Sequence, residues 1–330
     1  MGPMTRRRPL LVGGAVLALA GGLAGCGLFG SDGRAATTTP APTTTTTTAP
    51  PVAGSEPPEL IHPGAEPRQP LRVAYTEGDE AVVTFTSDLA VTQETKGRTQ
   101  RLDSPPVTQT LTYTVGTTTS AGSKLTIRID AIAAKGKGTD LTDEQLDALD
   151  DELAPLVGLE ATATATPLGE LEDLAFEAPD GLSDALAAQL DALEEQLPAI
   201  GPALPSEPVG VGASWRTVGT TNVGGAEVET TSTVTVTAIE DGLLSYTSTI
   251  ETSAGPQDLA FGGLAGGTTA RLASSDLRGT ATGSLGLDRV AIALRTRLSG
   301  TQELTLTADG KTTELSQALE VAYAAATEAA

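Results

Sequence analysis

Lys124-Leu125-Thr126-Ile127-Arg128-Ile129-Asp130 places Leu125, Ile127 and Ile129 on one side of an extended chain. Lys124, Arg128 and Asp130 fall on the other. A strict period of two marks a half-buried strand, and one polar side suits an antiparallel sheet with one wet face. The same style recurs over Ala81–Thr86, Thr110–Val115, Ser232–Ile239, Leu243–Glu251, Ala291–Leu298, Gln302–Thr307 and Leu315–Tyr323. Asp241-Gly242 and Asp309-Gly310 lie between such runs, where Asp-Gly favours a tight type I′ hairpin turn.

Two stretches change the period. Thr142 and Gln145 form a capping box, with Leu141 and Leu146 placed for a hydrophobic staple. Leu146, Leu149, Leu153 and Leu156 then follow at helical spacing. A second helix is expected from about Ser183, carrying Leu186, Leu190, Leu193 and Leu197 and stopped by Pro198. The expected fold is therefore α+β: a large, mostly antiparallel, curved sheet over residues 71–330 with two helices packed on one face. A weak internal duplication is also legible. Ala163-Thr164-Ala165-Thr166-Pro167-Leu168-Gly169-Glu170-Leu171 echoes Gly279-Thr280-Ala281-Thr282-Gly283-Ser284-Leu285-Gly286-Leu287, and each follows a long strand pair. Chance in a Thr- and Ala-biased chain explains the echo equally well.

Composition narrows the chemistry. Among 330 residues there are 20 Lys+Arg, 42 Asp+Glu, one His and one Cys, for a formal charge of −22. One Cys excludes a disulfide framework and a Cys-rich zinc site. Such acidity argues against nucleic acid, which wants basic patches.

The N-terminus gives an address. Arg6, Arg7 and Arg8 precede an apolar run, Leu10–Gly22, shorter than the ~20 residues a membrane-spanning helix needs. Residues 1–25 thus read as a signal peptide. Leu23-Ala24-Gly25-Cys26 resembles the lipobox of bacterial lipoproteins, which implies a diacylglyceryl group on the Cys26 thiol and cleavage before it. Two or more acyl chains on one residue suffice for stable anchoring. Cleavage removes three Arg and no acid, leaving 17 basic against 42 acidic side chains, a formal −25. Residues 26–70 form a tether whose core, AATTTPAPTTTTTTAPPV at 35–52, has too little apolar area to fold. His62 falls in this tether and reads as solvated. The expected location is the outer face of the cell membrane, and the Gly/Ala-rich leader with its Thr/Pro tether looks like those of high-GC Gram-positive bacteria.

Pro208-Val209-Gly210-Val211-Gly212-Ala213-Ser214-Trp215 resembles the Pro-Val-x-x-Gly-x-x-Trp motif of a family of bacterial surface lipoproteins of unknown function. That resemblance implies architecture and location over residues 71–325, and no chemistry. Physically, the glycines permit a close backbone approach and Trp215 anchors the next strand in the core.

Catalytic patterns are missing. There is no Gly-x-Ser-x-Gly elbow, P-loop, His-Glu-x-x-His or EF-hand loop. Gly210-x-Gly212 leads into a strand rather than the helix N-terminus a phosphate needs. Asp143, Glu144, Asp147, Asp150, Asp151 and Glu152 could offer oxygen to a hard cation, but they read as the solvated face opposite the Leu stripe. Glu170, Glu172 and Asp173 could form an acid/base pair of a glycosidase, though the chain has few aromatics for a sugar platform. No enzyme, cofactor or metal is expected. The expected partners are the membrane, through Cys26, and a lipid or other envelope component. Leu259, Phe261 and Leu264, in a Gly-rich stretch, could gate an apolar pocket. The functional expectation is a lipid-anchored, non-catalytic binding or envelope-interaction protein. Its alternative is a carrier of lipid or lipoglycan, similar to LolA- and LprG-type carriers in architecture only.

Overall fold

The alternating runs are strands, and most extend well beyond the runs themselves. The computed structural model describes residues 57–95, 98–136, 139, 141–178, 182, 186–187, 190, 193–194, 197, 201–223, 226–259, 269–308 and 310–328. Their strands are β1 (Glu59–His62), β2 (Glu80–Thr95), β3 (Arg98–Asp103), β4 (Val107–Thr119), β5 (Gly122–Ala134), β6 (Glu160–Ala165), β7 (Leu171–Phe176), β8 (Ser214–Val223), β9 (Ala226–Glu240), β10 (Leu243–Ala254), β11 (Gln257–Leu259), β12 (Thr269–Gly286), β13 (Ile292–Ala308) and β14 (Lys311–Thr327). One helix, α1 (Asp143–Leu153), runs into a single 3-10 turn at Ala154–Leu156.

All described strands join one antiparallel sheet in the order β1-β8-β9-β10-β12-β13-β14-β2-β4-β5-β6-β7, with β11 beside β12 and β3 beside β2. Two meanders, β2-β4-β5-β6-β7 and β8-β9-β10-β12-β13-β14, meet at the β14–β2 pair. Asp241 and Gly242 both have positive φ, as a type I′ turn between β9 and β10 requires. The N–H groups of Val73 and Ala74 donate to the Pro167 and Leu287 carbonyls, both within or beside the two segments of the suspected duplication.

The α+β expectation with two helices on one face is corrected: the described chain is mostly antiparallel strand with a single short helix. One physical reason lies in β12: between its few leucines it alternates small residues with polar ones (Ala270, Ser275, Gly279, Ala281, Gly283), so its hydrophobic signal is faint although it pairs along nearly its whole length. Most of the span expected to form the second helix, 183–197, lies outside the described residues. Its leucines Leu186, Leu190, Leu193 and Leu197 are described and buried in the main core. The first helix forms as expected: Thr142 and Gln145 make the reciprocal capping box, and Leu149, Leu153 and Leu156 are buried.

The core lies on one sheet face. Its largest part joins α1, the 3-10 turn and the four leucines to β2, β4, β5, β6, β8, β9, β10 and the adjoining strand ends. Two smaller clusters continue along the long strands, one around Leu277 and Leu319 and one around Leu272 and Leu304.

The tether expectation ends earlier than residue 70. β1 pairs with β8, Gln69 bridges Val209, and Leu71, Val73 and Tyr75 are buried. His62 lies in β1, and its Nδ1 accepts the Gly64 N–H at 3.0 Å. The Pro-Val-Gly motif explains this docking. Gly210 donates its N–H to Pro63, and a Cβ on Gly210 would sit 1.9 Å from the Ala65 carbonyl oxygen. Trp215 is wholly buried, with its indole N–H on the Ala203 carbonyl at 2.9 Å.

Candidate functional site

Across β12, β13, β14, β2 and β3 the side chains opposite the core form charged rows. One row reads Arg278, Ser299, Glu320, Ala90, Asp103; the next reads Thr280, Arg297, Ala322, Asp88. Small residues (Ser299, Ala90, Ala322) alternate with long charged ones, so the rows leave a floor between walls. The result is a groove of about 500 Å³ whose charged lining is Asp88, Arg101, Asp103, Arg278, Arg297 and Glu320.

Two backbone irregularities shape it. Ser104, Pro105 and Pro106 interrupt the edge between β3 and β4, where the Ser104 N–H reaches the Leu89 carbonyl at 3.1 Å. Opposite, β12 and β13 approach so closely at Gly279 that a Cβ there would meet the Arg297 carbonyl oxygen. Only glycine fits such a contact. Beneath the floor, on the core side, Leu89, Val91, Leu277 and Leu319 form the buried cluster that holds the strands in place.

The groove's charges are unequally paired. Arg101 Nε contacts Asp103 Oδ1 at 2.8 Å, whereas its guanidinium is 3.9 Å from Glu320. Arg278 stands 3.9 Å from Glu251. Among the described residues the exposed side chains of Arg297 and Asp88 have no ion-pair or hydrogen-bond partner. They stand two strands apart across Ala322, roughly 10 Å at 4.8 Å per strand. A free guanidinium and a free carboxylate at that spacing suit a polar ligand with an anionic group at one end and a donor at the other. The sequence reading missed this site because its residues come from five strands with no shared motif.

The sequence-derived candidates are placed as follows. Cys26 and its neighbours Leu23, Ala24 and Gly25 lie outside the described residues, as do Phe261 and Leu264 of the suggested apolar gate. Leu259, the gate's third member, is buried at the end of β11 against Leu272 and Leu304. The acidic side chains of α1 point outward, except that Asp150 Oδ1 accepts the Ala134 N–H at 2.7 Å and fastens the helix to β5. Glu172 and Asp173 are exposed on the edge strand β7, with Glu170 half-buried just before it. Among the described residues no cluster of three His, Cys, Asp or Glu could hold a metal ion.

No family model matches the chain, and no curated protein sequence matches it. Its similarities are to solved structures. The outer membrane protein OprG from Pseudomonas aeruginosa has 8% identity and a TM-score of 0.24, over 78% of this chain and 98% of that one. OmpT from Vibrio cholerae has 9% identity and a TM-score of 0.16, over 74% and 99%. The COG4313 outer membrane channel from Pseudomonas putida F1 has 10% identity and a TM-score of 0.13, over 77% and 97%. Scores this low mean that no conclusion about fold or function rests on these three. The large hydrophobic side chains exposed among the described residues are Ile61, Val157 and Val211.

Proposed function

We propose that this chain is a lipid-anchored, extracytoplasmic binding protein, non-catalytic, that holds a polar component of the cell envelope in the groove between β12 and β3. The single observation that carries the binding role is the pair Arg297 and Asp88, both unpartnered beside a 500 Å³ groove. The anchor rests on Leu23-Ala24-Gly25-Cys26 after the apolar leader. With residues 57–70 docked on the body, the tether shortens to residues 27–56, which span at most about 100 Å when extended. Repulsion between the acidic body and anionic headgroups keeps the body at the tether's end.

The lipid-carrier alternative draws no support from the groove, a surface depression carrying six charged side chains rather than an enclosed apolar cavity. An acyl chain needs a continuous apolar cavity.

Two experiments test the reading. Cys26→Ala in the native host should release the chain into the medium; unchanged membrane retention overturns the anchor. The mature chain should co-sediment with isolated peptidoglycan sacculi, whose peptides carry both carboxylates and amines. Loss of one charge-assisted contact in Arg297→Ala or Asp88→Ala should weaken retention about tenfold or more. Equal retention of both variants removes the groove from the reading.

A further inference from the structure

Among the described residues the main strand path ends at two edges, β7 and β1, and they differ. At one, β7 is six residues long, carries exposed Glu172 and Asp173, and is broken by positive φ at Asp173, where the β6–β7 register also shifts. Short length, charge and a bulge are the standard protections of an edge strand. At the other, β1 covers only Ser214, Trp215 and Arg216 of β8. Pro57 and Pro58 immediately precede β1, and with no N–H they cannot carry its pairing further along β8.

Among the described residues, Thr217-Val218-Gly219-Thr220-Thr221-Asn222-Val223 is therefore an open edge. It pairs with β9 without a register shift, from Thr217 opposite Ser232 to Val223 opposite Ala226. Among the described residues its other side makes no backbone hydrogen bond. It holds no charge and no proline. Seven residues give about 23 Å of straight, unsatisfied strand edge.

We propose that Thr217–Val223 is a docking site for an extended, Lys- or Arg-bearing segment of a partner protein, which adds as a further strand beside β8. Backbone pairing supplies affinity and alternate side chains supply choice, as in other strand-addition complexes. The charge preference comes from β9. Glu227 and Glu229 stand opposite Asn222 and Thr220, exposed and without ion-pair partners among the described residues. An added strand would place its alternate side chains two strands from these carboxylates, roughly 10 Å away, within reach of a long basic side chain. On the other face, Val228 and Ala226 are buried beneath the same stretch, so the intervening positions favour small or β-branched residues. A second copy of the chain fits poorly: its own open edge has no basic residue, and pairing two copies would bring their glutamates together. This site is separate from the groove and does not depend on it.

The test uses the full mature chain in detergent and a nine-residue synthetic peptide alternating Lys with Val and Thr. Hydrogen exchange is followed at residues 217–223, and affinity by peptide fluorescence anisotropy. The Lys peptide should protect these amides and bind. Replacing its Lys with Glu should abolish binding. In the chain variant Glu227→Lys/Glu229→Lys, the Lys peptide should lose at least about tenfold in affinity while the Glu peptide gains it. That reversal is not expected of a merely structural role. Lys-peptide binding without protection of 217–223 would place the contact elsewhere on the acidic body and overturn the proposal. So would protection in the chain alone, whether it rises with chain concentration (a second copy) or not (its own tether).

Discussion

Gln302 on β13 lies directly opposite Gln317 on β14, and both side chains are wholly buried. Ser275 continues the row on β12 and Gln93 on β2. The row separates the Leu272–Leu304 cluster from the Leu277–Leu319 cluster. Gln317 Nε2 donates to Gln93 Oε1 at 3.3 Å, but among the described residues neither amide atom of Gln302 has a partner. A buried polar group without a partner costs about 1–3 kcal/mol. Gln302→Leu, similar in size, should therefore raise the denaturant midpoint by the equivalent of about 1 kcal/mol or more. A lower midpoint would mean that bound water already satisfies the row.

All four tyrosines are buried far enough to resist ionisation. Burial pushes Tyr75 and Tyr246 up to about 12. Tyr323 is pushed up further by burial, and Tyr113 by burial together with the neighbouring Tyr323 and Tyr75. A raised folded value favours the neutral form. The linked stability is fully present below the unfolded value near 10 and is lost as pH climbs toward the folded values. Tyrosinate absorbance should show no step at pH 10. It should then rise for all four residues together, coincident with loss of the strand circular dichroism. One tyrosine titrating normally while the sheet persists would contradict the burial described for it.

The strands were legible because Val, Ile, Leu and Thr alternate, and α1 because its cap and leucine spacing are local signals. What escaped the sequence was non-local. β12 is rich in Ala, Ser, Gly and Thr, with Leu272, Leu277 and Leu285 its only large apolar side chains, and its pairing with β10 and β13 supplies what its hydrophobic pattern does not. Residues 57–70 read as tether because prolines recur, yet the bonds that hold them come from Val209, Gly210 and Val211, more than 130 positions away. The groove was invisible for the same reason: Arg297 and Asp88 become neighbours only through the β14–β2 pair.

Asp130 links the sheet to acid stability. Burial raises its pKa, but hydrogen bonds from the Thr112 hydroxyl and Arg128 Nε, together with the Arg128 charge, outweigh that and hold the carboxyl below its usual range. A depressed folded value contributes stability above the unfolded value, and that stability is lost as pH falls through the folded one. Thr112→Val removes one of these hydrogen bonds. It should cost about 1 kcal/mol at neutral pH and move the acid-unfolding midpoint to higher pH. An unchanged midpoint would assign the acid transition to other carboxylates.

The N-terminal segment transmits any load from an anchor, and Gly210 is its tightest contact. Around it, Gly210 N–H donates to Pro63, Ala65 N–H to Val211, and Gln69 and Val209 exchange both backbone bonds, all at 2.9 Å. Because a Cβ on Gly210 would strike the Ala65 carbonyl, Gly210→Ala must push residues 63–69 off the body or shift both backbones. Overpacking of this kind costs about 1–3 kcal/mol. Arg68 is already exposed, but its neighbour Gln69 is held by both backbone bonds to Val209; the loosened chain should free the Arg68–Gln69 bond, so limited trypsin digestion should cut there faster than in the parent. Gly116→Ala is the control, since its Cβ would meet Lys124 O at an ordinary 3.5 Å and should leave both stability and cleavage unchanged. If Gly210→Ala matched that control, the docking of residues 63–69 would not depend on the glycine, and the backbone would have a second way to close the contact.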